Sequence, residues 1–239
     1  MTISSTEQKY TRPRNLVTHD EHASLNWRCH AAQVDEAPVL VCLHPLPHDG
    51  SFFDSAAPLL SQRRPVLCPD YPGFGDSPPL IDEWTLEGWA DALGKGLASL
   101  PTGKPVDLLG FHTGCLVAVE IALRDPKRIG RLVLLDVPYF DPEQRREMGE
   151  KTATAPRYHG KPMAIHGFRT VFAYDPMPRF KRLKHETLVI GTDSSLHGPS
   201  EAAARGSPGA RFLSRRDMTA PVFKSGAANI AECAEAFLK

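Results

Sequence analysis

The segment from Pro105 to Glu120, PVDLLGFHTGCLVAVE, constrains the fold of this chain more than any other stretch. A short apolar run ends at Gly110, and a sharp turn then leads into an apolar helix that is predicted to begin near Cys115. Glycines at the first and last positions of the turn, Gly110 and Gly114, allow the two backbones to pass very close to each other. The pattern predicts a strand, a tight turn and a helix, with His112 at the tip of the turn over the carboxyl edge of a sheet.

Apolar strands and amphipathic helices alternate along much of the remaining chain. The first two predicted strands can pair as an antiparallel hairpin, and the second of them alternates apolar and polar side chains, whereas the later strands are more continuously apolar. This alternation predicts an α/β fold with a mostly parallel sheet of about eight strands and helices on both faces. Besides the strand before His112, the predicted strands cover residues 15–19, 24–30, 38–44, 65–68, 131–135, 187–190 and 210–213. Two further predicted helices cover residues 51–60 and 227–238, and a third begins at Thr85.

The alternation lapses between residues 138 and 184, where prolines, basic residues and aromatic side chains replace it. We interpret this segment as a short cap inserted into a core made of residues 1–137 and 185–239, with a polar lead-in over residues 1–14. A surface excursion without a cap role is the alternative. Seven aromatic residues of the segment either line an apolar pocket or pack the cap: Tyr139, Phe140, Tyr158, Phe168, Phe172, Tyr174 and Phe180.

Composition narrows the class of function. Lysine plus arginine and aspartate plus glutamate both number 28, so nothing in the charge balance favours binding to nucleic acid or to an anionic membrane. No apolar run approaches the roughly 20 residues of a membrane-spanning helix, and the N-terminal segment is too polar for a secretory signal. The five cysteines are far apart, which favours free thiols in a cytoplasmic protein. We expect a small-molecule substrate or ligand and no cofactor; the sequence leaves a homodimer open.

Three motifs in order resemble the α/β-hydrolase fold superfamily. They are LHPLP at residues 43–47, DYPGFGDS at residues 70–77 and GFHTG at residues 110–114. The resemblance covers nearly all of the chain from about residue 36 onward and implies the α/β-hydrolase fold. In that superfamily the third motif is the nucleophile elbow with a central serine, and here His112 takes that place. The chain is therefore identified as an atypical member with Gly-x-His-Thr-Gly in place of Gly-x-Ser-x-Gly.

The resemblance also implies positions for the acidic and basic partners of the elbow. The acid position after the seventh strand holds Asp193, and Asp136 occupies an alternative acid position that some relatives use. The catalytic histidine of the family follows the last strand, but residues 210–226 contain no histidine and have Asp217 near that position. His197 follows Asp193 closely and is expected to be a surface residue of a loop. These replacements exclude an ordinary Ser–His–Asp esterase.

His112 is the central candidate for catalysis. The resemblance places its imidazole beside the backbone N–H groups of Leu46 and Thr113, which would form an oxyanion hole. Imidazole titrates near neutral pH, and Asp217 or Asp193 would orient the ring and raise its pKa. We predict that His112 acts as a general base in the hydrolysis of a small ester, a lactone or a carbon–carbon bond next to a carbonyl.

Two alternatives remain open for the same scaffold. Loss of two of the three triad residues is typical of a retired catalytic site, so one alternative is a non-catalytic protein that binds a small apolar ligand. A lyase that uses the same residues is the other. His44, His48 and Phe111 are assigned to the pocket, with His44 also expected to make structural hydrogen bonds. The histidines lack the spacing of zinc ligands, so no metal site is predicted.

Overall fold

The computed structural model describes residues 13–19, 23–32, 37–79, 85–100, 102 and 105–239. Residues 1–12, which make up most of the predicted polar lead-in, lie outside the described residues. The described part contains eight strands: β1 (Arg14–His19), β2 (Ser24–His30), β3 (Leu40–Leu43), β4 (Val66–Pro69), β5 (Val106–Phe111), β6 (Ile129–Leu135), β7 (Thr187–Asp193) and β8 (Ala210–Thr219). All eight strands belong to one sheet.

The sheet is mostly parallel, as predicted. Its strand order is β1-β2-β4-β3-β5-β6-β7-β8. Only the pairs β1–β2 and β2–β4 are antiparallel, and the remaining five pairs are parallel. The strand that leads into His112, β5, lies between β3 and β6 in the middle of the sheet. The carboxyl ends of β3, β5, β6 and β7 therefore meet at one edge, where parallel sheets of this type place their ligands.

Helices cover both faces of the sheet, which confirms the predicted layers. Residues of α2 and α3 pack with one apolar cluster, and residues of α1, α8 and α9 pack with a second cluster on the other face. The helices are α1 (Ala57–Leu60), α2 (Leu86–Ala98), α3 (Thr113–Arg124), α4 (Pro142–Ala153), α5 (Pro162–Ala173), α6 (Met177–Arg182), α7 (His197–Gly206), α8 (Val222–Ser225) and α9 (Ala227–Phe237). No helix in the described ranges is both long enough and apolar enough to cross a membrane.

Two helix boundaries differ from those predicted. The predicted helix over residues 51–60 divides into a 3₁₀ helix at Gly50–Phe53 and the short α1. Pro58 lies in the first turn of α1, and it would remove a hydrogen bond and clash with the preceding turn in one continuous helix. The helix after the central turn begins at Thr113 rather than near Cys115, because the chain reverses direction at the single residue His112.

The turn after β4 fixes the loop that follows β3. The buried carboxylate of Asp70 accepts hydrogen bonds from the backbone N–H groups of Gly50 (2.7 Å) and Asp76 (2.9 Å) and from the side-chain amide of Asn26 (2.8 Å). Gly75 has a φ of 55° and no room for a Cβ atom against this carboxylate. The turn thereby joins β2, β4 and the start of the 3₁₀ helix beside the carboxyl edge of the sheet.

The segment between β6 and β7 is helical. It contains α4, a 3₁₀ turn at Pro156–Tyr158, α5 and α6. The alternation of strands and helices therefore lapses here, as predicted, because the segment has helices but no strand among its residues. Asp141 and Gln144 form a reciprocal capping box at the start of α4. The buried Glu120 of α3 anchors the segment, because it accepts a hydrogen bond from the Tyr174 hydroxyl at 3.0 Å and lies 3.7 Å from the Arg179 guanidinium.

Candidate functional site

The turn between β5 and α3 presents His112 at the carboxyl edge of the sheet. His112 has φ 49° and ψ −116°, a conformation that costs a residue with a side chain of the order of 1–3 kcal/mol. Its N–H donates to the Leu135 carbonyl at 3.1 Å, and its carbonyl accepts from the Cys115 N–H at 2.9 Å. A Cβ atom on Gly110 in β5 would overlap the backbone of Gly114 and Cys115 at the start of α3, and a Cβ atom on Gly114 would overlap the Leu43 carbonyl of β3. The close approach of strand and helix predicted from the two glycines is therefore present.

His112 lies in the wall of a cavity of about 720 Å³ between the sheet edge and the helical segment 138–184. This volume falls in the range of small-molecule sites. Backbone and side chains of the turn, of the loop after β3, and of α4 and α5 contribute to the wall. Most of the wall is apolar, and six of its large side chains are Phe52, Phe111, Phe140, Met148, Phe168 and Phe172.

The imidazole of His112 is half-buried and is held in the neutral form. Its centroid lies 4.0 Å from that of the Phe111 ring. Burial lowers the pKa of His112 to about 4, the charge of Asp136 opposes this shift, and His48 adds to it. The expectation that Asp217 or Asp193 raises this pKa is wrong, because neither carboxylate contributes to the shift and desolvation outweighs the attraction of Asp136.

Asp217 does not lie where the family resemblance places a partner of His112. Strand β8 continues to Thr219 instead of ending at the predicted Leu213, and this extension carries Asp217 on its exposed side. The Arg215 guanidinium donates two hydrogen bonds to the Asp217 carboxylate, at 2.8 and 2.7 Å, and keeps the pKa of Asp217 below its usual value. Asp217 is absent from the cavity wall, so it does not orient His112.

Asp193 also points away from the cavity. It is the last residue of β7, is exposed, and lies 3.9 Å from the guanidinium of Arg216. His197, expected on the surface, is instead buried at the start of α7, with its Nε2 2.9 Å from the Ser214 hydroxyl. Gly191 leaves the space for this ring, because a Cβ atom there would lie 3.1 Å from it.

Asp136 is the predicted carboxylate whose charge acts on His112. It follows β6 directly, is buried, and has a φ of 51°. One carboxylate oxygen accepts from the Thr192 N–H at 2.9 Å and the other from the Thr192 hydroxyl at 2.6 Å. No role is predicted from the sequence for Thr192, the middle residue of Gly-Thr-Asp at residues 191–193. A threonine next to a candidate acid could have indicated a hydrogen-bond donor to a carboxylate of the site.

A phenylalanine occupies the region where the family resemblance places a catalytic histidine. The chain after β8 enters α8, and Phe223 of this helix is buried. Its ring lies 5.0 Å from that of Phe111 and 5.1 Å from that of Phe52. On this side of the cavity, Phe52, Phe111 and Phe223 form an aromatic cluster, and the ring of His48 lies 5.0 Å from that of Phe52.

Leu46 and Thr113 both line the cavity beside His112. The Thr113 N–H begins α3 and so has no acceptor within the helix. Across the described ranges, neither this N–H nor that of Leu46 donates to a backbone carbonyl of a turn or loop. Two backbone donors are therefore available at the cavity wall.

The three residues assigned to the pocket separate into two groups. His48 and Phe111 line the cavity. His44 does not line it, because its ring is fully buried and stacks on Tyr71 with 3.8 Å between centroids. The Nε2 atom of His44 accepts from the Tyr71 N–H at 3.2 Å, and its Nδ1 lies 3.1 Å from the Pro45 carbonyl. His44 therefore fixes the loop that carries Leu46 and makes the structural hydrogen bonds expected of it.

Acid is expected to destabilise the fold through His44 and His112. Burial lowers the pKa of each from 6.5 to about 4, so the unfolded state takes up protons first as pH falls through that window. The free energy of unfolding should be greatest above pH 6.5 and decrease progressively toward pH 4. Denaturant titrations at a series of pH values measure this slope. His44→Gln should give a shallower slope than the control His159→Gln at an exposed position, and equal slopes would contradict the role of His44.

The site contains no evident place for a metal ion. Within the described ranges, no three histidine, cysteine or acidic side chains converge in a way that could hold a metal. Cys115 is also unsuited to reaction, because burial raises the pKa of its thiol well above the usual value. Around the turn after β5, the groups suited to catalysis are His112, the two backbone donors and the charge of Asp136.

Comparisons with known proteins agree with this architecture. Residues 38–152 match the model of the alpha/beta hydrolase fold family. The structure superposes on an esterase from Thermogutta terrifontis with a TM-score of 0.71 and 18% identity, covering 96% of this chain and 100% of that one. The protein has the α/β-hydrolase fold. An enol-lactonase from Burkholderia xenovorans gives a TM-score of 0.74 at 20% identity over 93% of this chain and 99% of that one, and at this identity the likeness concerns the fold alone.

Sequence relatives of this α/β-hydrolase-fold protein are hydrolases by name. A pimeloyl-[acyl-carrier protein] methyl ester esterase from Aromatoleum aromaticum is 33% identical over 147 residues, which is 61% of this chain and 54% of the relative. A 2-hydroxy-6-oxononadienedioate/2-hydroxy-6-oxononatrienedioate hydrolase from Cupriavidus pinatubonensis is 28% identical over 179 residues, which is 75% of this chain and 56% of the relative. The chain thus spans about half the length of these curated relatives.

Proposed function

We propose that the protein hydrolyses a small ester, a lactone or a carbon–carbon bond next to a carbonyl, with His112 at the nucleophile position of the elbow as general base. The observation that supports this most is the backbone of His112, held at φ 49° so that its side chain faces the cavity. Strained positions of this kind cluster at functional sites. The segment 138–184 would act as the cap over this site.

The proposed step uses water as the nucleophile. The neutral imidazole of His112 takes a proton from a water molecule as the water oxygen adds to the substrate carbonyl carbon. The N–H groups of Leu46 and Thr113 donate to the oxyanion that forms, and each such donor contributes about 3 kcal/mol in known hydrolases. The imidazolium then returns the proton to the leaving atom as the bond to the carbonyl carbon breaks.

Asp136 would act through His112 rather than on the substrate. Its negative charge favours the protonated imidazole, so it stabilises the imidazolium that the step creates. Both carboxylate oxygens are held by Thr192, which keeps the charge beside the turn. In this proposal Asp136 therefore acts through its charge, which stabilises the imidazolium.

The names of the relatives support the proposed range of substrates. An acyl-carrier-protein methyl ester esterase and an oxononadienedioate hydrolase are among them, and an enol-lactonase shares the fold. Ester, lactone and carbonyl-adjacent carbon–carbon bonds are each cleaved by addition to a carbonyl carbon. A cavity with one base and two oxyanion donors suits all three.

The pH dependence of hydrolysis tests the proposal. A panel of short acyl esters, lactones and vinylogous 1,5-diketones would be assayed for release of the acid product. We expect kcat/KM to increase as pH rises through about 4, the pKa of His112, and to be level at neutral pH. A profile that still rises steeply in the neutral range would contradict His112 as the base, and no turnover on any class would contradict the activity.

A non-catalytic ligand-binding protein is the second candidate. The positions of Asp217 and Asp193, both exposed and paired with arginines, favour it, because neither carboxylate orients His112. In that case apolar ligands should raise the melting temperature of the protein while no substrate of the panel is turned over. The lyase alternative predicts cleavage of the same carbonyl compounds without consumption of water, which product analysis distinguishes.

A further inference from the structure

We propose that Arg157 binds a carboxylate of the substrate, so that the cavity selects apolar substrates that carry one carboxylate separated from the bond to be cleaved. The selection of a substrate rests on the proposed function, whereas the binding of a carboxylate does not. Arg157 and His112 line the same cavity, but Arg157 belongs to the segment 138–184 and His112 to the turn after β5. A single ligand can therefore contact both.

The position of Arg157 is set by aromatic packing. Its guanidinium carbon lies 4.9 Å from the centroid of the Tyr158 ring, in a cation–π contact. The Tyr158 ring lies 4.9 Å from that of Phe168 on α5, and all three residues line the cavity. The stacked ring orients the guanidinium and leaves its N–H donors free to bind a ligand.

Arg157 is not used by the fold as an ion-pair partner. Among the described residues, no carboxylate forms a salt bridge with its guanidinium. Two other polar side chains of the same wall are engaged: the Gln144 side-chain oxygen accepts from the Asp141 N–H at 3.0 Å, and Glu147 lies 3.8 Å from the Lys151 ammonium. Arg157 thus supplies a positive charge to a cavity whose wall is otherwise mainly apolar.

The charges of the wall favour a single anionic group on the ligand. A planar guanidinium offers paired N–H donors that match the two oxygens of a carboxylate. Glu147 also lines the cavity, and its charge would repel a second carboxylate placed close to it. The apolar rings between these groups suit a hydrocarbon or aromatic spacer.

Binding of amides tests the carboxylate site without turnover. Monoamides of the straight-chain dicarboxylic acids from adipic to sebacic acid would be compared by calorimetry with the corresponding diamides, which lack the charge. We expect the best monoamide to bind about tenfold more tightly than its diamide, and Arg157→Gln to remove this difference. Arg169→Gln is the matched control, because Arg169 is exposed on α5, does not line the cavity, and changes the net charge equally.

Rates with the matching esters separate this proposal from the proposed function. The kcat/KM ratio of monomethyl to dimethyl esters of the same acids should fall in Arg157→Gln and stay unchanged in Arg169→Gln. A monoamide preference that survives Arg157→Gln, or its absence in the wild-type protein, would overturn the carboxylate site even if esters are hydrolysed. A preference that depends on Arg157 without any hydrolysis would retain the site and refute the hydrolase.

Discussion

Replacement of His112 by alanine is expected to lower kcat/KM for the best substrate by about 10²- to 10⁴-fold while the protein stays folded, because a positioned general base contributes that much. The variant removes the imidazole and leaves the Leu46 and Thr113 N–H donors in place. The pH-dependent limb near pH 4 should disappear with it. Steady-state kinetics of both proteins measure the loss, and thermal melts verify folding.

Two further variants make the result specific to His112. His159→Ala is the matched control, since His159 is exposed and does not line the cavity, and its kcat/KM should equal that of the wild type. His112→Ser places the family's nucleophile in the turn but should be as inactive as His112→Ala. No histidine follows β8 to activate a serine, and Phe223 packs against Phe111 in that region. An active His112→Ser variant would contradict a base at this position.

The architecture was predictable because its signals are local in sequence. Continuously apolar segments such as residues 132–135 identify strands buried on both sides, and the spacing of Leu86, Trp89, Leu93 and Leu97 identifies one buried face of α2. The two glycines of the central turn identify a close contact between strand and helix. Each of these patterns predicts its strand, helix or turn from neighbouring residues alone, so the architecture could be predicted without knowing which distant residues come into contact.

The partners of His112 were not predictable because they depend on contacts between distant segments. Asp217 lies in the polar stretch Ser214–Thr219, which has no apolar alternation, yet this stretch extends β8 by pairing with β7. Asp136 accepts a hydrogen bond from Thr192 because β6 and β7, which lead to these residues, are neighbours in the sheet. The pKa of His112 follows from burial within a cavity wall built from several segments, and burial of that kind cannot be deduced from the identity of the residue.

Replacement of Gly114 by alanine is expected to decrease the free energy of unfolding by about 3 kcal/mol, the upper part of the range for overpacked sites. The added Cβ atom would overlap the carbonyl group of Leu43, a backbone group of the central sheet that cannot rotate away as a side chain can. The strand and the helix would have to separate, which would also displace His112 and the Thr113 N–H. Denaturant unfolding followed by circular dichroism measures the loss.

Gly94→Ala is the matched control for this substitution and should change stability in the opposite direction. Gly94 lies inside α2, and a Cβ atom there would meet no atom within 4 Å. Alanine costs about 1 kcal/mol less than glycine in a helix interior, so this variant should be more stable than the wild type. Because both variants add one methyl group to a helical glycine, the difference between them isolates the contact with β3. Equal stability of Gly114→Ala and the wild type would show that the turn can open without cost, and the strained presentation of His112 would then lack its structural basis.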